Sequence, residues 1–216
     1  MIYRGKFQAD MDTLHQDVMR LGKECYRRLD GSTEVLTDAD TERARALVKG
    51  DSAINSMEND INTQVINLIT TQQPVATDLR LIISSIKIAD DLERISDNIS
   101  NIGEVRKRVR LGSEKLLLRL STMERLALLM LEDVKTAYET GDTDLCTEII
   151  ERDKDIDALF VQITTTDIIK ETDVFVTGQS QLAAKYLERI GDHIKNIAEH
   201  VYFVLTGDKY EKIFQQ

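Results

Sequence analysis

The stretch LERISDNISNIGE, Leu92 to Glu104, decides the fold, because the chain writes it again as LERIGDHIKNIAE, Leu187 to Glu199. Nine of the thirteen aligned positions are identical: Leu92, Glu93, Arg94, Ile95, Asp97, Ile99, Asn101, Ile102 and Glu104 match Leu187, Glu188, Arg189, Ile190, Asp192, Ile194, Asn196, Ile197 and Glu199. In the first copy Leu92, Ile95, Ile99 and Ile102 recur three and four residues apart, the period of one apolar face of an α-helix. A helix repeated at an offset of 95 residues predicts a duplicated helical unit.

Working outward, the same period recurs along the chain. Met11, Leu14, Val18, Leu21 and Cys25 mark a first helix that DGSTEV interrupts. Thr37 with Asp40 reads as the start of a second helix, whose seam runs Leu47, Asp51, Ile54, Glu58, Ile61, Val65 and Leu68. After TQQPVA, with Pro74 expected in the first turn, a third helix carries Leu79, Ile82, Ile86 and the repeated motif. Leu116, Leu120, Met123, Ala127, Met130 and Val134 mark a fourth, residues 144–166 a fifth, and residues 179–205, closed by Gly207, a sixth. The linker IIKETDVFVTGQ has no proline and is compatible with continuous helix. These spacings predict an all-α fold of two tandem, pseudo-symmetric three-helix bundles, residues 1–110 and 111–216.

Composition agrees. One proline, ten glycines, 5% aromatics and no tryptophan in 216 residues suit helices, and 42% apolar content supplies a core. A formal net charge of -10 argues against a nucleic-acid partner, which requires a basic face. Cys25 and Cys146 lie far apart within helical patterns, as expected of buried thiols in a reducing compartment. The first residues lack a signal-peptide core and no run of about eighteen apolar residues follows, so a cytoplasmic location is expected.

The acids break the pattern. Asp51 and Glu58 occupy seam positions of the second helix, where an ionised carboxylate costs several kcal/mol without a cation or donors nearby. Asp90, Glu93, Asp97 and Glu104 form their own stripe on the third helix; Glu188, Asp192 and Glu199 copy it, and the fifth adds Asp153 and Asp157. Two acids four residues apart sit about 6 Å from each other on one face, close enough to share an ion. If the second and third helices fold back near Gln73, Glu58 comes level with about residue 88, near Asp90 and Glu93. Oxygen ligands of this kind suit magnesium, manganese, calcium or iron. The competing reading is a solvated acidic face balanced by Arg94, Arg189, Lys185 and Lys195. His15, His193 and His200 share no helical pattern with two acids, and no triad, phosphate loop or C-x-x-C pair is present.

QPVATDLRLIISSIKIADDLERISDNISNI and AKYLERIGDHIKNIAEHVYFVLTG resemble the PhoU family, accessory regulators of the phosphate-specific ABC transport system. The resemblance covers nearly the whole chain. It implies a six-helix cytoplasmic protein, usually a homodimer, that binds multinuclear metal clusters, iron or zinc, through acid-x-x-x-acid motifs. Carried over position by position, the implied ligands are Glu58 with Asn62, Glu93 with Asp97, Asp153 with Asp157, and Glu188 with Asp192. Asn62 departs from the pattern by replacing a carboxylate, and Ser96 replaces the glycine of the motif. The lost charge implies tighter metal retention in the second half. The resemblance further implies a non-enzymatic negative regulator of phosphate uptake and of the starvation response. Its partners would be the transporter ATPase and a sensor histidine kinase, which leaves it peripheral to the membrane. Rival readings of the same residues are a carboxylate-ligated metal-dependent enzyme and a structural helical module.

Overall fold

A computed structural model describes residues 2–165 and 173–211. It contains six long helices: α1 (Ile2–Leu29), α3 (Asp51–Gln72), α4 (Ala76–Arg108), α5 (Glu114–Thr140), α6 (Thr143–Thr165) and α7 (Val174–Thr206), with a short α2 (Glu42–Lys49) before α3. No strand occurs among the described residues. The expected all-α bundle is therefore present, and every expected seam position from Met11 to Cys25 and from Leu116 to Val134 is buried.

Four local expectations are corrected. The second helix is broken at Gly50, so Leu47 belongs to α2 and Asp51 opens α3. Thr37 ends a single 3-10 turn (Glu34–Thr37) and does not cap α2; Asp40 instead accepts from the backbone N–H of Glu42 at 3.0 Å. Pro74 lies between helices: Gln73 takes a left-handed conformation (φ 49°) and Val75 an extended one, so α4 starts at Ala76. Finally, α7 begins at Val174, five residues earlier than its apolar period suggested, with the Asp173 side chain capping Phe175 N–H at 2.8 Å. Positions 168–172 of the linker and Thr166 lie outside the described residues.

The two halves do not fold around separate cores. Buried residues of α1, α3, α4, α5, α6 and α7 form one continuous apolar cluster, and α4 packs along α7 through its centre. The two helices run antiparallel: Asp91 meets His193, Asn196 and His200, while further toward the start of α4 Arg80 lies against Gly207 at the end of α7. The acid-bearing copies of the repeated motif thus flank the middle of the molecule. The α3–α4 turn and the start of α7 lie at opposite ends.

Small residues permit the close crossings. A Cβ at Gly103 of α4 would sit 2.9 Å from the carbonyl oxygen of Ala44, so the glycine lets α2 lie on α4. Arg106 secures the preceding loop by donating to the carbonyl of Asp38 at 3.0 and 2.6 Å.

Candidate metal-binding face

In the second half the four acids sit where α6 crosses α7. Ile149, Ile150 and Ile156 bury one face of α6, and Asp153 in the same stripe is 2% exposed. It fits there because Gly191 presents no side chain: a Cβ would lie 2.8 Å from Asp153 Oδ1. Lys195 Nζ donates to Asp153 Oδ2 at 3.0 Å and lies 3.6 Å from Asp192 Oδ1. Lys185 donates to Glu188 at 2.6 Å and stands over the Phe160 ring. Asp157 points to solvent.

Burial raises the pKa of Asp153 against the lowering effect of the Lys195 bond, and the charges of Asp157 and Asp192 add to the rise. Burial acts to lower that of Lys195, but the bond to Asp153 and the surrounding acids outweigh it, so the ammonium is held charged. Asp153 Oδ1 is buried and has no hydrogen-bond partner.

The first half differs. Asn62 donates its amide to Glu58 Oε1, so the departure from the acid pattern is absorbed as a hydrogen bond along α3. Glu93 and Asp97 of α4 are gathered instead with Asp51 of α3. Ser96 donates to Asp51 Oδ1 at 2.6 Å. Burial, followed by the charge of Asp51, raises the pKa of Asp97; burial and then Asp97, opposed by Arg94, raise that of Glu93. Arg94 lies 3.6 Å from both carboxylates.

The Ser96–Asp51 bond fixes the antiparallel register, and two turns along α3 it brings Glu58 opposite Ala89 and Asp90. Glu58 thus lies level with the start of the α4 acid stripe, while the acid that joins Glu93 and Asp97 is Asp51. At the motif's variable position, Ser96 uses its hydroxyl to hold Asp51, whereas Gly191 uses its missing side chain to admit Asp153.

Among the described residues no three His, Cys, Asp or Glu side chains converge as a metal-ligand set. The arrangement is a pair of acid patches neutralised by Lys195, Lys185, Arg94 and Arg28, not a preformed coordination shell. A metal ion at the second patch would meet an Asp153 whose Oδ2 is already held by Lys195, leaving Oδ1 to ligate it.

Two buried acids outside these motifs join the halves. Asp91 accepts from His193 Nδ1 at 2.8 Å and Asn196 at 3.2 Å, and lies 3.3 Å from His200 Nε2. Glu124 of α5 accepts from Ser32 Oγ at 3.1 Å and from the backbone and hydroxyl of Thr33. Both were detectable by the same breach that marked Asp51: Asp91 is in phase with Ile88 and Ile95, and Glu124 with Leu120 and Ala127. His193, one residue and so about 100° around α7 from Asp192, serves Asp91.

The PhoU domain family matches residues 18–105 and 120–201. A phosphate-specific transport system accessory protein PhoU homolog of Clostridium acetobutylicum is 33% identical over 213 residues, covering 95% of this chain and 96% of the relative. The corresponding PhoU of Escherichia coli is 27% identical and covers 97% and 89%. Among solved structures, PhoU from Pseudomonas aeruginosa superposes with a TM-score of 0.86 at 27% identity, covering 94% of this chain and all of that one. The phosphate transport system regulatory protein PhoU from Streptococcus pneumoniae gives 0.83 at 26%, covering 95% and 100%. With the repeated acid-bearing helix, the six long helices and matches in both halves, the chain belongs to the PhoU family.

Proposed function

We propose that this protein is an accessory regulator of phosphate transport that acts by binding and not by catalysis. The observation that carries the reading is its end-to-end similarity to proteins named for the phosphate-specific transport system. On this reading it lowers phosphate uptake and restrains the starvation response. It works in the cytoplasm as a homodimer, contacting the ATPase subunit of a phosphate ABC transporter and a phosphate-sensing histidine kinase. No described helix is long and apolar enough to cross a membrane, which suits attachment through partners. Exposed apolar side chains supply contact surface at the two ends: Ile66, Val75 and Ile83 at one, Val161, Val174 and Phe175 at the other. On this reading 1–110 and 111–216 are duplicated units that share one core.

Deletion of the gene should raise phosphate uptake, and the wild-type gene should restore it; pull-down from the same cells should recover the ATPase subunit. Unchanged uptake with no transporter subunit recovered would sink the assignment.

A metal ion is a second, separable part of the proposal. Iron or zinc follows from the resemblance, and magnesium or manganese also suit oxygen ligands. Buried, unpartnered oxygens occur in both halves, Asp153 Oδ1 in the second and Asn62 Oδ1 and Glu93 Oε2 in the first, so charge decides the ranking: Asp153, Asp157, Glu188 and Asp192 would be the ligands of the tighter site. Glu58, Asn62, Glu93 and Asp97 would form the weaker site, because Asn62 brings no charge. Elemental analysis of purified protein tests the ranking. Asp153→Ala with Asp157→Ala should release most of the metal; retention there, with loss on changing Glu93 and Asp97, would reverse it.

A further inference from the structure

A pocket of about 250 Å³ opens where the end of α1, the following turn, α2 and the start of α3 meet. Arg27, Arg28 and Arg43 line it with Gly31, Ser32 and Gly50. Arg28 is 5% exposed. Its Nη2 donates to the carbonyl of Leu47 at 3.0 Å and to Ser100 Oγ at 2.9 Å, but Nε and Nη1 are buried with no hydrogen-bond partner. Asp51 Oδ1 stands 3.8 Å away, beyond hydrogen-bond reach, and already accepts from Ser96. A buried cation with free donors is expensive to keep. The backbone makes room for it: a Cβ at Gly50 would overlap Arg28 Nη1, and Gly31 at φ 77° leaves the space beside Arg43 open.

We propose that this pocket binds a small tetrahedral oxyanion of the phosphate class, with Arg28 as its anchor. Guanidinium groups offer planar N–H pairs matched to the oxygens of such an anion. The outer arginines are steadied by acids, Arg27 by Glu24 and Arg43 by Glu34 at 3.4 Å and Asp38 at 3.2 Å, while Asp30 on the lining also opposes a negative ligand. These acids weaken the field at the rim, so selectivity falls to Arg28, whose hydrogen-bond partners are neutral and whose ion-pair partner Asp51 is 3.8 Å away and already engaged by Ser96. Ser32 gives its proton to Glu124 and adds no donor. The volume admits a phosphate-sized anion with its water and does not enclose a nucleotide. The ligand is therefore free orthophosphate, or a phosphoryl group whose carrier stays outside. The inference rests on these residues alone and not on the transporter assignment, which the uptake experiment tests separately.

Calorimetric titration and thermal shift of the purified full-length protein test it, with sodium phosphate, sodium chloride at matched ionic strength, and ATP as probes. Orthophosphate should bind saturably and raise the melting temperature where chloride does not. Arg28→Lys should weaken binding roughly tenfold or more, as loss of charge-assisted hydrogen bonds implies. Arg43→Gln, on an exposed side chain, should weaken it several-fold and keeps the test usable if Arg28→Lys fails to fold; Lys115→Gln, on α5, should change nothing. Binding of ATP without orthophosphate would assign the pocket to a carried phosphoryl group. Phosphate acting no better than chloride, or binding equally to wild type, Arg28→Lys and Arg43→Gln, would overturn the proposal.

Discussion

Replacing Gly191 by alanine sets two effects of known size against each other. Glycine in the middle of a helix is worse than alanine by about 0.5–1 kcal/mol, so on propensity alone Gly191→Ala stabilises α7. The new Cβ, however, would stand 2.8 Å from Asp153 Oδ1 and 3.0 Å from Ile156 Cδ1. Neither neighbour can move freely: Asp153 is pinned through its other oxygen by Lys195, and Ile156 is fully buried. Overpacking of this kind costs about 1–3 kcal/mol, so the net loss should fall within about 0–2.5 kcal/mol. Urea unfolding followed by circular dichroism measures it. In an Asp153→Ala background the carboxylate is gone and the same change should be close to neutral, giving a coupling of about 1 kcal/mol or more. A Gly191→Ala protein more stable than wild type, or no coupling in the cycle, would show that the crossing has room and that Asp153 is not held as described.

Gly103→Ala should also destabilise, by about 1–3 kcal/mol, because the contact at 2.9 Å is to the backbone carbonyl of Ala44, which cannot rotate aside. Hydrogen exchange should then show lost protection in residues 42–49. At the joint between the halves, burial acts to raise the Asp91 pKa, but bonds from His193, His200 and Asn196 outweigh it and hold the carboxyl below its ordinary 3.8. A depressed carboxylate stabilises above its unfolded pKa and loses that contribution as pH falls through the folded value. Asp91→Asn should therefore cost about 1–3 kcal/mol near neutrality, with the gap to wild type closing below about pH 4 in parallel denaturation curves. Burial pushes the thiol of Cys25 far up and that of Cys146 to about 11, so iodoacetamide should label neither until the protein is unfolded. Labelling of native Cys25 detected by mass spectrometry would contradict its complete burial.

The helices were legible in the sequence, because helical period is a local property: Leu92, Ile95, Ile99 and Ile102 fix one face of α4 whatever lies opposite. It also marked the acids that break the seams, Asp51 and Glu58, and required something positive near them. What it left open was which groups meet, since that depends on the register and crossing of helices distant in sequence. Only the tertiary structure placed Asp51 with Glu93 and Asp97, sent Lys195 to Asp153, and joined the halves through Asp91 and Glu124. The break at Gly50 belongs to the same class, because α2 turns away where Ala44 packs on Gly103 of a helix about sixty residues on. In the repeated motif, Glu93, Asp97, Glu188 and Asp192 were legible as a stripe from spacing. Their neutralisation by the chain's own cations was not, because a charge pairs with what lies near it in space, and a helical wheel lists only neighbours along one helix.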